Sequence, residues 1–335
     1  MSRIPYLELQ STFESILKKK AFSTEKAMVC ANLFAKASLD GVASHGLNRF
    51  PAFLEMVEKG WVDPHALPSL EFALPVFERW NGHLGPGMYN AQHAMDRAIE
   101  MAKGNGMGCV ALNNTNHWMR GGNYGWQAAE AGCVAICFTN TLPNMPAWGG
   151  SEPKVGNNPL VMAIPKGEDA LVLDMAMSQF SYGKMDVFEK NAKEMPFVAG
   201  FDEQGNLTKD PAFILAKQLA LPMGLWKGAG LSMMLDLLAS LFSKGKATHE
   251  IGALETEYSI SQFFLCLHPA TCGLDMEEME LHVKRVVDDL KTSTVFNDKE
   301  VCYPGEQSLT RRKSNLEKGV PVDPDIWERV KSMLN

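Results

Sequence analysis

Apolar residues recur at helical spacing near both ends of the chain and in short unbroken runs through its middle. Over residues 5–20, Leu9, Phe13, Ile16 and Leu17 fall on one helical face. Pro5 suits the first turn there, and Lys18, Lys19 and Lys20 suit the negative end of the helix dipole. A second helix is expected from Thr24 to Asp40, with Ser23 or Thr24 as N-cap. Its inward positions are Ala27, Cys30, Ala31, Phe34 and Ala37, and Gly41 is the stop. A short third helix fits Pro51 to Gly60. From about Leu70 the pattern changes to strands. Phe72–Trp80 reads as a strand pair around a turn, followed by a helix over Tyr89–Lys103. Gly108–Asn113, Val134–Asn140, Leu160–Pro165 and Ala170–Asp174 read as strands, with a helix over Gln127–Ala131 and a turn at Lys166–Asp169. Gly200–Leu207 reads as a surface loop, Leu231–Phe242 as an apolar helix, and Ile260–Leu267 as the last strong strand. Amphipathic helices over 276–292 and 324–334 follow, able to pack back on the N-terminal helices.

These elements predict an α/β (α+β) fold, a mixed β-sheet with packed helices plus a mainly helical lobe. At 335 residues the chain exceeds the size at which one core usually stops growing, so two lobes are expected. One combines residues 1–70 with 276–335; the other is the mixed-sheet region 71–275. A net charge of −7 leaves no electrostatic footprint for nucleic acid. Arg311-Arg312-Lys313, diluted by Glu306 and Glu317, reads as a solvated helix face. Seven cysteines without a C-x-x-C or a repeating spacing argue for a reducing compartment rather than a disulfide framework or zinc site. The first residues contain no apolar core of signal-peptide length, and the stretch Leu219–Phe242 is broken by Pro222, Lys227 and Asp236. A cytoplasmic protein with no membrane partner is the expectation.

The stretch Val42-Ala43-Ser44-His45-Gly46-Leu47-Asn48-Arg49-Phe50 carries the most chemistry. It places a proton donor active near neutrality and a permanent planar cation within nine residues. A carbonyl beside a carboxylate, as in a 2-keto acid, needs both groups at about that separation. In a helix His45 and Arg49 would be i, i+4 neighbours, although Gly46, and Pro51 after Phe50, disturb that geometry. The alternative is a turn in which His45 caps a helix end and Arg49 is solvated. A G-x-G-x-x-G dinucleotide fingerprint between strand and helix is absent, which disfavours a Rossmann fold. Gly104-x-Gly106-x-Gly108 stands in the opposite order and reads as a helix C-cap and tight turn. His117 closes a strand in a polar loop, and Gly121, Gly122 and Gly125 could offer backbone N–H groups to an anion before a helix. Asp174–Ser178 could cradle a ribose or phosphate, or be a plain strand-end turn. Leu221–Gly230 offers an aromatic ring, Lys227 and close backbone approach. His45, His83, His93 and His117 share no ligand spacing, so no metal site is expected.

Together, Ser44-His45-Gly46 with Asn48-Arg49-Phe50-Pro51, Asn116–Gly122, Phe180-Ser181-Tyr182-Gly183, and Leu221–Gly224 with Trp226-Lys227-Gly228 resemble the malate/L-lactate dehydrogenase family of NAD(P)-dependent oxidoreductases. The likeness runs over nearly the whole chain. It implies a non-Rossmann fold working as a homodimer, with sites near the subunit interface and a small keto-acid substrate. By that resemblance His45 is the proton donor, and Ser44, Arg49 and His117 bind substrate. Ala170, Leu171, Val172, Leu173, Asp174, Met175, Ala176, Trp226, Lys227, Gly305, Glu306 and Gln307 fall on cofactor-binding segments for NAD, with NADH the preferred donor and NADPH left open. Two departures stand out: Gly156-Asn157-Asn158-Pro159 replaces the commoner G-T-N-P, and Gly305-Glu306-Gln307 replaces the G-H-E of a near relative. Sibling substrates (malate, lactate, sulfolactate or ureidoglycolate) and a non-catalytic ligand-binding protein on the same scaffold are the competing readings.

Overall fold

Helix ends near the N-terminus are set by single side chains. In the computed structural model, which describes residues 2–296 and 300–334, strand β1 (Ser2–Ile4) leads into α1 (Tyr6–Lys19) and α2 (Thr24–Leu39). Ser23 caps α2 by accepting the Lys26 N–H at 3.3 Å. Two 3₁₀ turns follow, Ala43–His45 and Leu47–Arg49, and then α3 (Phe50–Glu58). Phe50 is right-handed helical at φ −58°, ψ −44°, despite the proline after it. Pro51 occupies the first turn, where a missing N–H costs nothing.

The middle of the chain runs β2 (Ser69–Leu74), β3 (Phe77–Asn81), α4 (Gly87–Asn105), β4 (Met107–Thr115), α5 (Gly122–Glu130) and β5 (Val134–Thr139). A small ribbon of β6 (Met145–Pro146) and β7 (Pro153–Val155) precedes the hairpin β8 (Leu160–Lys166) and β9 (Asp169–Met175). Then come α6 (Tyr182–Lys190), β10 (Gly200–Phe201), β11 (Leu207–Thr208), α7 (Pro211–Lys217), α8 (Trp226–Ser243), α9 (Thr248–Ile251) and β12 (Ile260–Leu267). The chain finishes with α10 (Met276–Lys291), α11 (Glu306–Lys318), β13 (Val320–Val322) and α12 (Pro324–Ser332).

Seven strands form one sheet in the order β2-β3-β4-β12-β5-β8-β9. β3 and β4 run parallel, with α4 as their crossover, while the other neighbours are antiparallel. A largely antiparallel sheet is not the doubly wound parallel sheet of a Rossmann fold. β12 is central, with Phe264 opposite Val110 on one side and Cys137 on the other. One apolar core runs from Phe13, Phe34 and Phe50 through Met88 to Val110 and Phe264, and Trp327 and Val330 of α12 join it. A second core of Met177, Met185, Met195, Ile214 and Leu235 lies beneath α6, α7 and α8. β1 pairs antiparallel with β13, bringing the two ends of the chain together. Among the described residues no helix is long and apolar enough to cross a membrane.

Several local expectations change. Gly200–Leu207 is not a loop alone but contributes the β10–β11 hairpin. α8 begins at Trp226, five residues before Leu231, and α5 begins at Gly122, so the glycine run lies inside its first turn. Gly125 there serves packing, since a Cβ would stand 3.0 Å from both Val161 and Val172. The basic cluster 311–313 is not wholly solvated. Arg312 lies over the Trp126 ring at 4.7 Å and donates through Nε and Nη2 to the two carboxylate oxygens of Asp40, each at 2.7 Å. Asp40 is fully buried and also accepts from Arg120, itself 5% exposed. That cluster fastens the C-cap of α2 to the loop after β4 and to α11. Removing the carboxylate strands a buried guanidinium, so Asp40→Ala is expected to lower unfolding free energy by about 3–5 kcal/mol in a denaturant titration.

Candidate active site

The segment carrying His45 and Arg49 is shaped by Gly46. A Cβ at Gly46 would lie 2.1 Å from Ser38 Oγ and 2.9 Å from the Phe34 carbonyl, so only glycine lets the chain pass this close to α2. Ser38 Oγ accepts the Leu47 N–H at 2.9 Å and pins the second turn. The result is two 3₁₀ turns instead of an α-helix, and both His45 and Arg49 face one cavity of about 740 Å³. The loop after β4 delivers His117 to the same cavity. The two imidazole rings lie 5.7 Å apart, with their planes inclined by 24°.

The two histidines differ in their surroundings. His117 Nδ1 accepts the Met119 N–H at 2.9 Å, which leaves Nε2 to carry the proton as a donor. Burial, and then the charges of Arg49 and His45, holds the His117 pKa well below 6.5, so this ring works neutral. His45 Nδ1 lies 3.1 Å from Ser44 Oγ. With Ser44 Oγ accepting from Nδ1–H, Nδ1 keeps its hydrogen when a proton leaves through Nε2, so this contact supports His45 on both sides of a proton transfer and leaves Nε2 free. Burial lowers the His45 pKa from 6.5; Asp174 works against that shift, and Arg49 and Arg120 add to it. Gly183, in the first turn of α6, packs on Ser44, where a Cβ would meet the serine Cβ at 2.8 Å.

From the histidines the cavity extends along β9 to the start of α11. Val172, Leu173, Asp174 and Ala176 line it; Ala170 is buried within β9, Leu171 and Met175 are half-buried, and none of the three lines it. Asp174 Oδ2 accepts the Gly122 N–H at 2.8 Å, so the N-terminus of α5 already holds an anion from the protein itself. Gly305 and Gln307 face the cavity, as do Ser308 and Arg311, whereas Glu306 pairs with Lys291 at 2.6 Å. Trp226 and Lys227 are exposed at the start of α8 and do not line this cavity.

This arrangement fits a dinucleotide. Gly305 stands at φ +92° as N-cap of α11 without a side-chain cap, leaving first-turn N–H groups beside Arg311 for a phosphate. Gly305 also passes β9 so closely that a Cβ would be 3.0 Å from the Val172 nitrogen. Nearer the histidines, Asn144 Oδ1 is buried in the wall without a hydrogen-bond partner, an acceptor suited to a carboxamide. Asn144 Nδ2 is held by Asn157 Oδ1 at 2.9 Å, so the first asparagine of Gly156-Asn157-Asn158-Pro159 orients the wall. Asn158 bonds instead to Thr141 and to Ser232 of α8. Among the described residues no three His, Cys, Asp or Glu side chains group as a metal site. Asn144 and Glu257 also line the cavity without having been singled out, because each stands in a stretch whose sequence carries no recognisable spacing; Arg120, from the Asn116–Gly122 motif, and Arg311, from the cluster read as a solvated face, line it too.

The family model described as malate/L-lactate dehydrogenase matches residues 4–331. The chain is 38% identical over 333 residues to 2,3-diketo-L-gulonate reductase of Klebsiella pneumoniae (strain 342), covering 99% of this chain and all of that protein. It is 39% identical, with the same coverage, to the protein of that name from Haemophilus influenzae. The solved structure of sulfolactate dehydrogenase from Methanocaldococcus jannaschii superposes with a TM-score of 0.88 at 27% identity, over 99% of this chain and 96% of that one. Such relatives imply an oxidoreductase acting on CH–OH groups with a nicotinamide cofactor. With its mixed sheet, its non-Rossmann topology and its paired histidines, this chain belongs to the malate/L-lactate dehydrogenase family.

Proposed function

We propose that the protein reduces 2,3-diketo-L-gulonate to 3-keto-L-gulonate, with NADH as the preferred donor and His45 as the proton donor. The observation that carries this reading is the convergence of His45, His117 and Arg49 on one cavity wall, in a chain whose full length matches reductases of that name. A bound nicotinamide supplies hydride to the substrate carbonyl. Arg49 forms no ion pair among the described residues, so its guanidinium is available to grip the substrate carboxylate bidentately. His117, neutral and donating from Nε2, holds a substrate oxygen. His45 delivers a proton from Nε2 to the developing alkoxide, and Ser44 accepts from Nδ1 while the ring is charged. Val172, Leu173, Asp174, Gly305 and Gln307 are proposed to hold the cofactor.

The working form is proposed to be a homodimer. Its support is the face of α8, where Trp226, Met233, Met234, Leu241 and Phe242 are all exposed, an apolar strip larger than isolated surface residues make. Trp226 and Lys227 stand at the end of that strip, so a partner's cavity is where they would meet cofactor. A cytoplasmic setting is supported by seven unpaired thiols, five of them buried.

Replacing the acid removes a transition-state interaction, whereas replacing the clamp removes ground-state binding as well. His45→Ala is therefore expected to lower kcat by about 10²–10⁴-fold with nucleotide affinity retained, read by stopped-flow absorbance and NADH titration. Arg49→Ala is expected to raise KM more than it lowers kcat; normal turnover by either variant would contradict its assigned role. The reduction needs protonated His45, so kcat/KM should fall as pH rises, with a midpoint below 6.5 set by burial of the ring. The bound carboxylate offsets Arg49, so the corresponding midpoint in kcat should lie higher. A profile with the two midpoints reversed would contradict the assignment.

A further inference from the structure

Glu257 stands in the loop between α9 and β12, in the cavity wall that also holds His45, His117 and Arg49. The loop is fixed on both sides of it. Tyr258 stacks on Trp61, with ring centroids 6.2 Å apart and planes within 9°. Ser259 Oγ donates to Asn114 Oδ1 at 2.9 Å. Glu257 Oε2 accepts the Leu142 N–H at 3.1 Å, which points the carboxyl in one direction. Burial raises its pKa, while that N–H and the charge of Arg49 both favour the carboxylate. It makes no ion pair with Arg49 within 4.0 Å, so among the described residues one cavity holds an Arg49 guanidinium without an ion-pair partner and the oriented Glu257 carboxyl. Arg120, the other cation nearby, is committed to Asp40.

Resting on the keto-acid reading above, we propose that Glu257 is a specificity-determining residue of this site. Arg49 takes the one carboxylate of the substrate, and Glu257 faces the remainder of the molecule. A neutral tail rich in hydroxyls can donate hydrogen bonds to Glu257. A second carboxylate or a sulfonate in that position meets a like charge in a partly dehydrated cavity. The site therefore selects monoanionic polyhydroxy keto acids and disfavours keto diacids.

The test uses ligand binding, which does not require turnover. Pyruvate and oxaloacetate with saturating NAD⁺, and L-gulonate with saturating NADH, pairs that cannot transfer hydride, are titrated calorimetrically into the wild-type protein, Glu257→Gln and Glu257→Leu. Glu257→Gln keeps an acceptor for Leu142 and removes the charge. It is expected to tighten oxaloacetate relative to pyruvate about tenfold, the size of one charge–charge interaction across a partly screened cavity. Glu257→Leu is expected to weaken L-gulonate relative to pyruvate by about fivefold, the net worth of a hydrogen bond. Ratios within twofold of wild type, or parallel loss of all ligands in both variants, overturn the proposal. Failure of the wild-type protein to bind pyruvate overturns the keto-acid site itself, whereas wild-type binding with unchanged ratios overturns only the role of Glu257.

Discussion

A single buried carboxylate holds the working parts of this molecule in register. Asp40 ends α2, three residues before the turn that carries Ser44 and His45, and it receives Arg120 from the His117 loop and Arg312 from α11. Three segments far apart in the chain thus meet at one charge with no exposure to solvent. Such a cluster is costly to bury, and its value lies in geometry. Its members cannot shift singly without leaving an uncompensated ion, so the His45 turn, the His117 loop and α11 are fixed relative to one another. Arg120 extends the link by donating to Ser308 Oγ at 3.2 Å, directly beside the start of α11.

The cavity built on this frame assigns opposite tasks to two rings of the same kind. His117 is tied through Nδ1 to a backbone N–H that cannot reverse its polarity, so the ring stays neutral and donates. His45 is tied through Nδ1 to a hydroxyl that can accept from Nδ1–H in both charge states, so the ring can gain and lose a proton at Nε2 without losing its partner. Arg49 lowers the proton affinity of both rings. In the proposed mechanism a substrate carboxylate that neutralises Arg49 would raise the proton affinity of His45 when a proton is needed, coupling binding and acid strength through one guanidinium.

Glycine supplies the close approaches that this arrangement needs. Gly46 allows the His45 turn to touch α2, and Gly183 lets α6 close against Ser44. At the far end Gly305 admits the start of α11 against β9. In each case a single Cβ would meet atoms of a neighbouring element at 3.0 Å or less, so these positions constrain the site as tightly as its charged residues do.

The sequence by itself determined most of the elements and the chemistry at hand. Periodicity located α1, α2, α4, the four long strands and β12, because in those segments burial follows a regular spacing that a linear chain displays. It also singled out His45, Arg49 and His117, and the run of matching motifs pointed to the family that the comparisons establish. Only the tertiary structure decided how they are used. The helical spacing of His45 and Arg49 gave way to two 3₁₀ turns because Gly46 packs against Ser38, a contact between chain segments. The glycines at 121–125 became the first turn of α5 with Asp174 at its end, since the partner carboxylate comes from a strand some fifty residues away. Arg312 looked like a solvated charge because nothing near it in sequence reveals Asp40. Glu257, in a loop of ordinary composition, gained its place from the insertion of β12 between β4 and β5. Local patterns are written in the chain; long-range neighbours are not, since they depend on which distant surfaces the fold brings into contact.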